Sequence, residues 1–295
     1  MTTLPGSQEV PVLITGAAGR IGRMIRPLLA DAGWDVTCVD VAPGGDAAVQ
    51  ELDVLDGEGL DAATVGCGAV VHLAGIAREA PLPDILRANV EGTQAVLDAA
   101  LRRGIRRVVL ASSNHAVGFC ARPESGSLPV DVPVRPDTFY GMSKVAVEAL
   151  GQLYSDRFGL EVVSLRIGTC LPEPTAVREL STWLSPGDAA RLVAAALTGP
   201  VVGHVIAYGI SANTRGWWDL SSARALGYEP EDDSESFADR VPPEPAPRVP
   251  RTGTPVPPAP ERVGGLFTLM PLGGLSSGFS HPRPSAEPPD DPPSN

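Results

Sequence analysis

The sequence has almost no lysine and only four cysteines. Lys144 is the only lysine among 23 lysine and arginine residues in 295. Cys38, Cys67, Cys120 and Cys170 have neither metal-ligand nor redox-motif spacing, which argues against a metal centre and a disulfide framework. No basic region precedes the first apolar segment as it would in an export signal. We therefore expect reduced thiols, no metal and a cytoplasmic location.

The formal net charge of −12 argues against nucleic acid and anionic membrane surfaces as partners. A local basic pocket for a small anion remains compatible with it. An apolar stretch at residues 263–272 is too short to cross a bilayer and is interrupted by glycine and proline. We expect a protein that acts on a small molecule, with no nucleic-acid or membrane partner.

Composition divides the chain near residue 240. The hydrophobic content of 43% is enough for a core. Beyond that point proline, glycine and serine dominate, a composition typical of disorder. We predict a folded domain over residues 1–240 that includes the substrate pocket, and a disordered Pro-rich tail over 241–295.

A glycine motif follows the first apolar strand and opens a helical pattern. Gly16 suits a tight turn, Gly19 admits a pyrophosphate to the helix N-terminus, and Gly22 lets the helix pack near the strand. Arg20 and Ile21 lie between Gly19 and Gly22. The alternative is a plain turn, but the strand, loop and helix context favours dinucleotide binding.

Asp40 closes the second strand, about twenty residues after the glycine loop. A carboxylate there accepts both hydroxyls of an adenosine ribose and repels a 2′-phosphate, so NAD is favoured over NADP. The alternative is an aspartate that only caps a turn.

Two further strands end in small or polar residues. Residues 69–73 lead into Ala74 and Gly75, and residues 106–111 lead into 112–115, Ser-Ser-Asn-His. Ligands of open α/β sheets bind at the carboxyl ends of strands. We therefore predict an α/β fold with a Rossmann-type doubly wound parallel sheet, a small C-terminal substrate-binding portion, and a site at this edge. His72, inside its strand, is interpreted as a core histidine.

Tyr140 and Lys144 stand four residues apart on a predicted helix, which places both side chains on one face. A cation beside a phenol lowers the phenol pKa, as a general base requires. The alternative is an ordinary exposed pair. Arg178, after a proline-containing loop, is a candidate clamp for a carboxylate, or else a surface arginine.

These motifs resemble the extended short-chain dehydrogenase/reductase superfamily, and within it the bacterial uronate dehydrogenases. The wider resemblance rests on the glycine motif, Asp40, the His-Leu-Ala-Gly sequence at 72–75, Asn89, the serine pair at 112–113, and Tyr140 with Lys144. The closer one rests on Ala-Ser-Ser-Asn-His at 111–115, Arg-Ile-Gly-Thr-Cys at 166–170, Pro-Glu-Pro at 172–174 with Arg178, and the segments 180–184, 211–213 and 217–219.

The resemblance implies NAD-dependent oxidation of a hexuronate, galacturonate or glucuronate, at C1 to an aldarolactone. Tyr140 would be the base, Ser113 would orient the hydroxyl, and Lys144 would lower the tyrosine pKa and hold the nicotinamide ribose. The implied cofactor contacts beyond the glycine motif and Asp40 are Asp53, Val54, Leu73, Ala74, Gly75, Asn89, Tyr140, Lys144 and Ile167.

The implied substrate contacts are Asn114 and His115 on ring hydroxyls, Thr169 where relatives have serine, and Arg178 on the carboxylate. Ala77 replaces a serine that often touches substrate, and a pocket-closing aromatic of the family has no secure counterpart. Relatives often pair through the Tyr140 helix, so the resemblance also implies a homo-oligomer.

Two other functions stay open from the sequence. A nucleotide-sugar epimerase or dehydratase would need a nucleotide-binding lobe, for which the roughly eighty residues after the fifth strand leave little material. A nonenzymatic NAD-binding sensor would have no need of the serine, tyrosine and lysine together.

Overall fold

The structure is a computed structural model that describes residues 11–243 and 262–274. Nine strands lie in the described part of the chain: β1 Val12–Thr15, β2 Val36–Asp40, β3 Gln50–Glu51, β4 Ala69–His72, β5 Arg107–Ser113, β6 Glu161–Ile167, β7 Thr169–Cys170, β8 Trp183–Leu184 and β9 His204–Gly209. Seven of them form a parallel sheet in the order β3-β2-β1-β4-β5-β6-β9, and β7 pairs with β8 separately.

The α-helices lie between these strands along the chain, except for the last one, which follows β9. They are α1 Arg20–Asp31, α2 Gly57–Ala63, α3 Leu82–Ile85, α4 Gly92–Arg102, α5 Phe139–Phe158, α6 Glu179–Thr182, α7 Pro186–Thr198 and α8 Ser221–Ala225. A π-helical segment, Leu86–Glu91, joins α3 to α4. The predicted Rossmann-type doubly wound parallel sheet is confirmed.

The sheet is covered on both faces, which is why its strands are almost continuously apolar. In β1, Val12 and Ile14 pack on the side of α1 and α7, whereas Leu13 points to the side of α2, α4 and α5. All three are essentially inaccessible to solvent. The alternation buries successive side chains in two separate cores and holds the strand ends in place.

The topology brings the ends of five strands to one edge. The chain leaves β1 for β2 on one side and returns to β4 on the other, which creates a crevice between the two halves. Thr15, Asp40, His72, Ser113 and Ile167 are the last residues of their strands and all lie at this edge. The predicted ligand-binding edge is therefore built from β1, β2, β4, β5 and β6.

Helix α5 begins where its sequence provides a cap. Thr138 adopts an extended backbone, and its side-chain oxygen accepts from the Gly141 N–H at 3.0 Å. Tyr140 therefore lies in the first turn, directly beside the strand ends. The helix ends at Gly159, whose φ of 72° is readily adopted by glycine.

Residues 262–274, which we call the C-terminal strap, pack against this body. The Val263 N–H donates to Cys120 O at 3.0 Å and the Gly264 N–H to Gly118 O at 2.8 Å. Val263 is fully buried beside Trp217 and Trp218. The sequence analysis did not predict this docking, and residues 244–261 and 275–295 of the predicted tail lie outside the described residues. None of the described helices is long and apolar enough to span a membrane.

Candidate active site

A cleft of about 640 Å³ opens where β1, β2 and β4 end. Eight of the predicted cofactor residues line it: Gly16, Gly19, Asp40, Asp53, Val54, Leu73, Ala74 and Gly75. Nine further residues line the cleft that the sequence analysis had not singled out: Ala18, Val41, Ala42, Leu52, Leu55, Ile76, Asp84, Arg87 and Ala88. The cleft has the position and the extent that a dinucleotide requires.

The glycine loop leaves its backbone open toward this cleft. Gly16 has a φ of 69°, and a Cβ there would collide with the backbone of Ala74. A Cβ at Gly22 would lie 2.5 Å from Ala17 O, so the first turn of α1 packs closely on the glycine loop only because this residue is glycine. The first turn of α1 has no side-chain cap, which leaves the N–H groups of Arg20 and Ile21 without helical partners and suited to a pyrophosphate.

Asp40 is fixed by its own backbone neighbours. Its two oxygens accept from the N–H groups of Ala18 and Ala42, both at 2.9 Å. Each carboxylate oxygen retains acceptor capacity for a ribose hydroxyl. Asp53 is held similarly, by the Leu55 N–H at 3.0 Å. The residues of the cleft thus fit NAD, and the negative charge of Asp40 would repel the 2′-phosphate of NADP.

Asn89 lies behind the cleft. Its amide nitrogen donates to Ile76 O at 3.1 Å and to Ser143 Oγ at 2.8 Å, while its oxygen accepts from the Ile76 N–H at 2.7 Å. Both of its N–H donors are used inside the protein. Asn89 therefore holds the loop after β4 against α5. Ile167, at the end of β6, is also mostly buried.

His72 is a core histidine, as its place inside a strand indicated. Its ring nitrogens lie 2.7 Å from Thr15 Oγ1 and 3.2 Å from Thr93 Oγ1. Burial, helped by the positive charge of Lys144, lowers the pKa of His72 to about 3. The folded protein thus keeps this ring neutral.

We expect the buried His72 to make the fold sensitive to acid. In the unfolded chain the ring takes up a proton below about pH 6.5, whereas the folded ring does so only near pH 3. Stability is therefore lost as pH falls from 6.5 toward 3, by at most about 1.4 kcal/mol per pH unit. Urea unfolding at several pH values, for wild type and His72→Gln, measures this. Parallel losses in the two proteins would contradict it.

Ser113, Tyr140 and Lys144 meet at the end of β5, as the sequence predicted. Ser113 Oγ lies 3.3 Å from Asn114 Oδ1, and the Ser113 hydroxyl favours the phenolate form of Tyr140. Lys144 Nζ lies 5.6 Å from the centroid of the tyrosine ring, on the same helical face. All of these residues are buried. A phenol, a hydroxyl and an ammonium are thus assembled beside the dinucleotide cleft.

The phenol pKa differs from the sequence expectation. Burial raises the pKa of Tyr140 and the charge of Asp137 adds to it, against a lowering by the Ser113 hydrogen bond. Lys144 donates to Ala111 O at 2.8 Å and lies near the ring, so its charge is not directed at the phenol oxygen. Burial also lowers the pKa of Lys144 to about 8. The helical spacing correctly predicted that Lys144 lies near Tyr140. It did not predict that burial raises the phenol pKa.

Asn114 and His115 form the polar wall next to this group. Asn114 is 1% exposed, and its Nδ2 has no hydrogen-bond partner among the described residues. An unpaired buried donor is costly, which points to an acceptor supplied by a ligand. His115 Nδ1 lies 2.7 Å from Asp137 Oδ2 and carries the proton, because a carboxylate only accepts. Its Nε2 is the other hydrogen-bonding atom of the ring.

Arg178 and Thr169 lie together on the loop side of the site. Arg178 Nη1 is 3.5 Å from Thr169 Oγ1, and its Nη2 donates to Val263 O in the strap. The guanidinium is half-buried. Ala77 is exposed and offers only a methyl group. Arg178 is therefore part of the strap's docking site as well as a candidate anion ligand.

The sequence analysis missed Phe267. This strap residue lies over His115, with ring centroids 4.1 Å apart, and its centroid is 6.5 Å from that of Tyr140. It covers the polar group with an aromatic face, as the pocket-closing aromatic of the resembled family would. The signal for it was the apolar stretch at 263–272, which stands out within a proline-rich region.

Residues 12–205 match the NAD dependent epimerase/dehydratase family. The chain belongs to this family. The uronate dehydrogenase of Agrobacterium fabrum is 40% identical over 270 residues, 88% of this chain and 97% of the relative. That of Pseudomonas syringae pv. tomato is 40% identical over 241 residues, 80% of this chain and 87% of the relative.

A crystal structure of the Agrobacterium tumefaciens uronate dehydrogenase, a tyrosine-to-alanine variant complexed with NAD, superposes with a TM-score of 0.79 at 37% identity, covering 89% of this chain and 98% of that one. The resemblance drawn from the motifs is thereby confirmed. Within the epimerase/dehydratase family, this chain is similar to uronate dehydrogenases over most of its length, and the similarity extends well beyond the residues of the family match.

Proposed function

We propose that this protein oxidises a free hexuronate, galacturonate or glucuronate, at C1 to an aldarolactone with NAD as the oxidant. The observation that carries the proposal is the buried amide nitrogen of Asn114, which has no hydrogen-bond partner among the described residues and belongs to the same buried group as Ser113 and Tyr140. These residues stand at the cleft edge of a chain similar to uronate dehydrogenases. A buried polar wall next to a general base suits a polyhydroxylated substrate.

The residues of the dinucleotide cleft would hold NAD, which would supply the acceptor for the hydride that leaves C1 of the sugar. Tyr140 Oη takes the proton of the C1 hydroxyl, and Ser113 holds that hydroxyl in line with the phenol. Lys144, whose ammonium lies 5.6 Å from the centroid of the tyrosine ring, supplies a donor for the nicotinamide ribose. Burial of the group excludes water, which strengthens these interactions in the transition state.

Specificity for a sugar acid comes from the polar wall and from Arg178. The Asn114 amide and His115 Nε2 are available to ring hydroxyls, the histidine being oriented by Asp137. The guanidinium of Arg178 can bind a carboxylate through two parallel hydrogen bonds. This local positive charge suits an anionic substrate even though the whole protein is acidic.

The decisive experiment is NADH formation by the full chain with a panel of galacturonate, glucuronate, the corresponding neutral aldoses and UDP-sugars. We expect fast NADH formation with the free uronates, only a low basal rate with the neutral aldoses, and none with the UDP-sugars. Isomerisation of a UDP-sugar without net NADH would identify an epimerase instead. NAD binding without turnover of any sugar, together with a stable protein partner, would identify a sensor.

Arg178→Lys tests the carboxylate contact, because the substitution keeps the positive charge but removes the planar pair of donors. We expect kcat/KM for uronates to fall by about 10- to 100-fold, the value of one charge-assisted hydrogen bond. Turnover of neutral aldoses stays at its low basal level. Equal losses on acids and neutral sugars would mean that Arg178 does not bind the carboxylate.

The homo-oligomer paired through α5, the cytoplasmic location and the domain boundary near residue 240 stay predictions.

A further inference from the structure

Glu79 is a buried carboxylate with no role in the steps described above. It is 9% exposed, and no ion pair to it exists within residues 11–243 and 262–274. Its Oε2 accepts from the Tyr140 N–H at 2.9 Å, and its Oε1 accepts from the Gly273 N–H at 2.7 Å. Burying a carboxylate is costly unless its oxygens are hydrogen-bonded. Here both oxygens are engaged by backbone amides from distant parts of the chain.

The first of these amides belongs to the helix of the proposed general base. Tyr140 is the second residue of α5, so its N–H has no acceptor within the helix. Thr138 caps the neighbouring Gly141 N–H, and Glu79 takes that of Tyr140. The partial positive charge at a helix N-terminus favours a carboxylate at this position. Glu79 thus fixes the backbone from which the phenol projects.

The second amide belongs to the end of the C-terminal strap. The beginning of the strap is anchored by Val263 and Gly264, through backbone bonds and the buried valine side chain. Farther along, Leu266 and Leu269 are about 80% exposed, so apolar burial holds this part weakly. The bond from Gly273 to Glu79 is a specific anchor beyond Phe267, whose ring lies over His115.

We propose that Glu79 is a positioning residue that joins the first turn of the Tyr140 helix to the end of the strap. One carboxylate then sets both the phenol and the aromatic cover of the pocket. Its effect on turnover rests on the proposed function, whereas its effect on the strap does not. The docked strap and the placed tyrosine are coupled because the two amides share one side chain.

Hydrogen exchange of the full chain tests the structural half without any substrate. Glu79→Gln keeps the volume but has one acceptor oxygen, so one of the two amides loses its partner. We expect exchange to rise about tenfold or more in peptides covering 139–145 and 262–274, and not elsewhere. Glu58→Gln, on the exposed face of α2, is the matched control and leaves both peptides unchanged. Unchanged exchange in both peptides of Glu79→Gln, or a rise spread over the whole chain, would overturn the proposal.

Kinetics of the same variants test the catalytic half. We expect Glu79→Gln to lower kcat for the uronate while NAD binds as in wild type. Glu79→Asp, which keeps two acceptor oxygens on a shorter side chain, restores part of the loss, and it replaces the glutamine variant if that one does not fold. Local loosening of the two peptides with wild-type kcat would refute the positioning role. Wild-type protein inactive on all uronates, with the same local loosening in the variant, would refute the proposed function and leave the coupling intact.

Discussion

Tyr140→Phe is expected to reduce kcat on hexuronates by about 10²- to 10⁴-fold, the range attributed to a positioned general base. The substitution removes only the hydroxyl, so the buried ring keeps its contacts with His115 and Phe267. NAD affinity should stay near the wild-type value because the substitution removes one hydroxyl and leaves the residues that line the dinucleotide cleft unchanged. Steady-state kinetics and a fluorescence titration of cofactor binding measure the two quantities.

The pH profile distinguishes loss of a base from loss of packing. Burial raises the pKa of Tyr140, so the reactive phenolate is a minor form at neutral pH and its fraction grows as pH rises. Wild-type kcat/KM should therefore increase from neutral into alkaline solution, and the residual activity of the phenylalanine variant should lack this increase. A variant that retains activity within about tenfold of wild type, with the same pH profile, would remove Tyr140 from the role of base.

Local patterns were sufficient for much of the site. Gly16 and Gly22 adopt the turn and close approach that their spacing indicates, and Asp40 ends its strand beside them. Tyr140 and Lys144 share a helical face because four residues make about one turn. Each of these features depends on neighbours within a short stretch of chain, which a sequence displays directly.

Features that depend on distant contacts were not predictable in this way. Glu79 and Gly273 are hydrogen-bonded across 194 positions, and no spacing rule links them. Phe267 reaches His115 only because the strap returns past the 119–138 loop. The raised pKa of Tyr140 results from burial, which the helical spacing does not report.

A second large effect is expected inside the protein, at the ion pair of Glu148 and Arg166. Arg166 Nε and Nη2 donate to the two carboxylate oxygens, each at 2.8 Å, and both side chains are less than 10% exposed. Ser112 Oγ donates to the same carboxylate at 2.6 Å, and Arg166 Nη1 donates to Val130 O at 2.8 Å. The pair thereby joins α5, β5 and β6 to the loop that follows β5.

Glu148→Ala should lower the free energy of unfolding by about 3–5 kcal/mol, because it leaves the guanidinium buried without its counter-ion. Chemical denaturation gives this value directly. The double variant Glu148→Leu with Arg166→Met, which replaces the pair by apolar groups of similar size, should recover most of the loss.

Glu148 also raises the pKa of Lys144 against the effect of burial, so both variants should lose the Lys144 ammonium at lower pH than wild type. A single substitution costing less than about 1 kcal/mol would show that water or another group replaces the carboxylate. A double variant no more stable than the single would show that the site depends on the charges themselves, because apolar packing would then have failed to replace them.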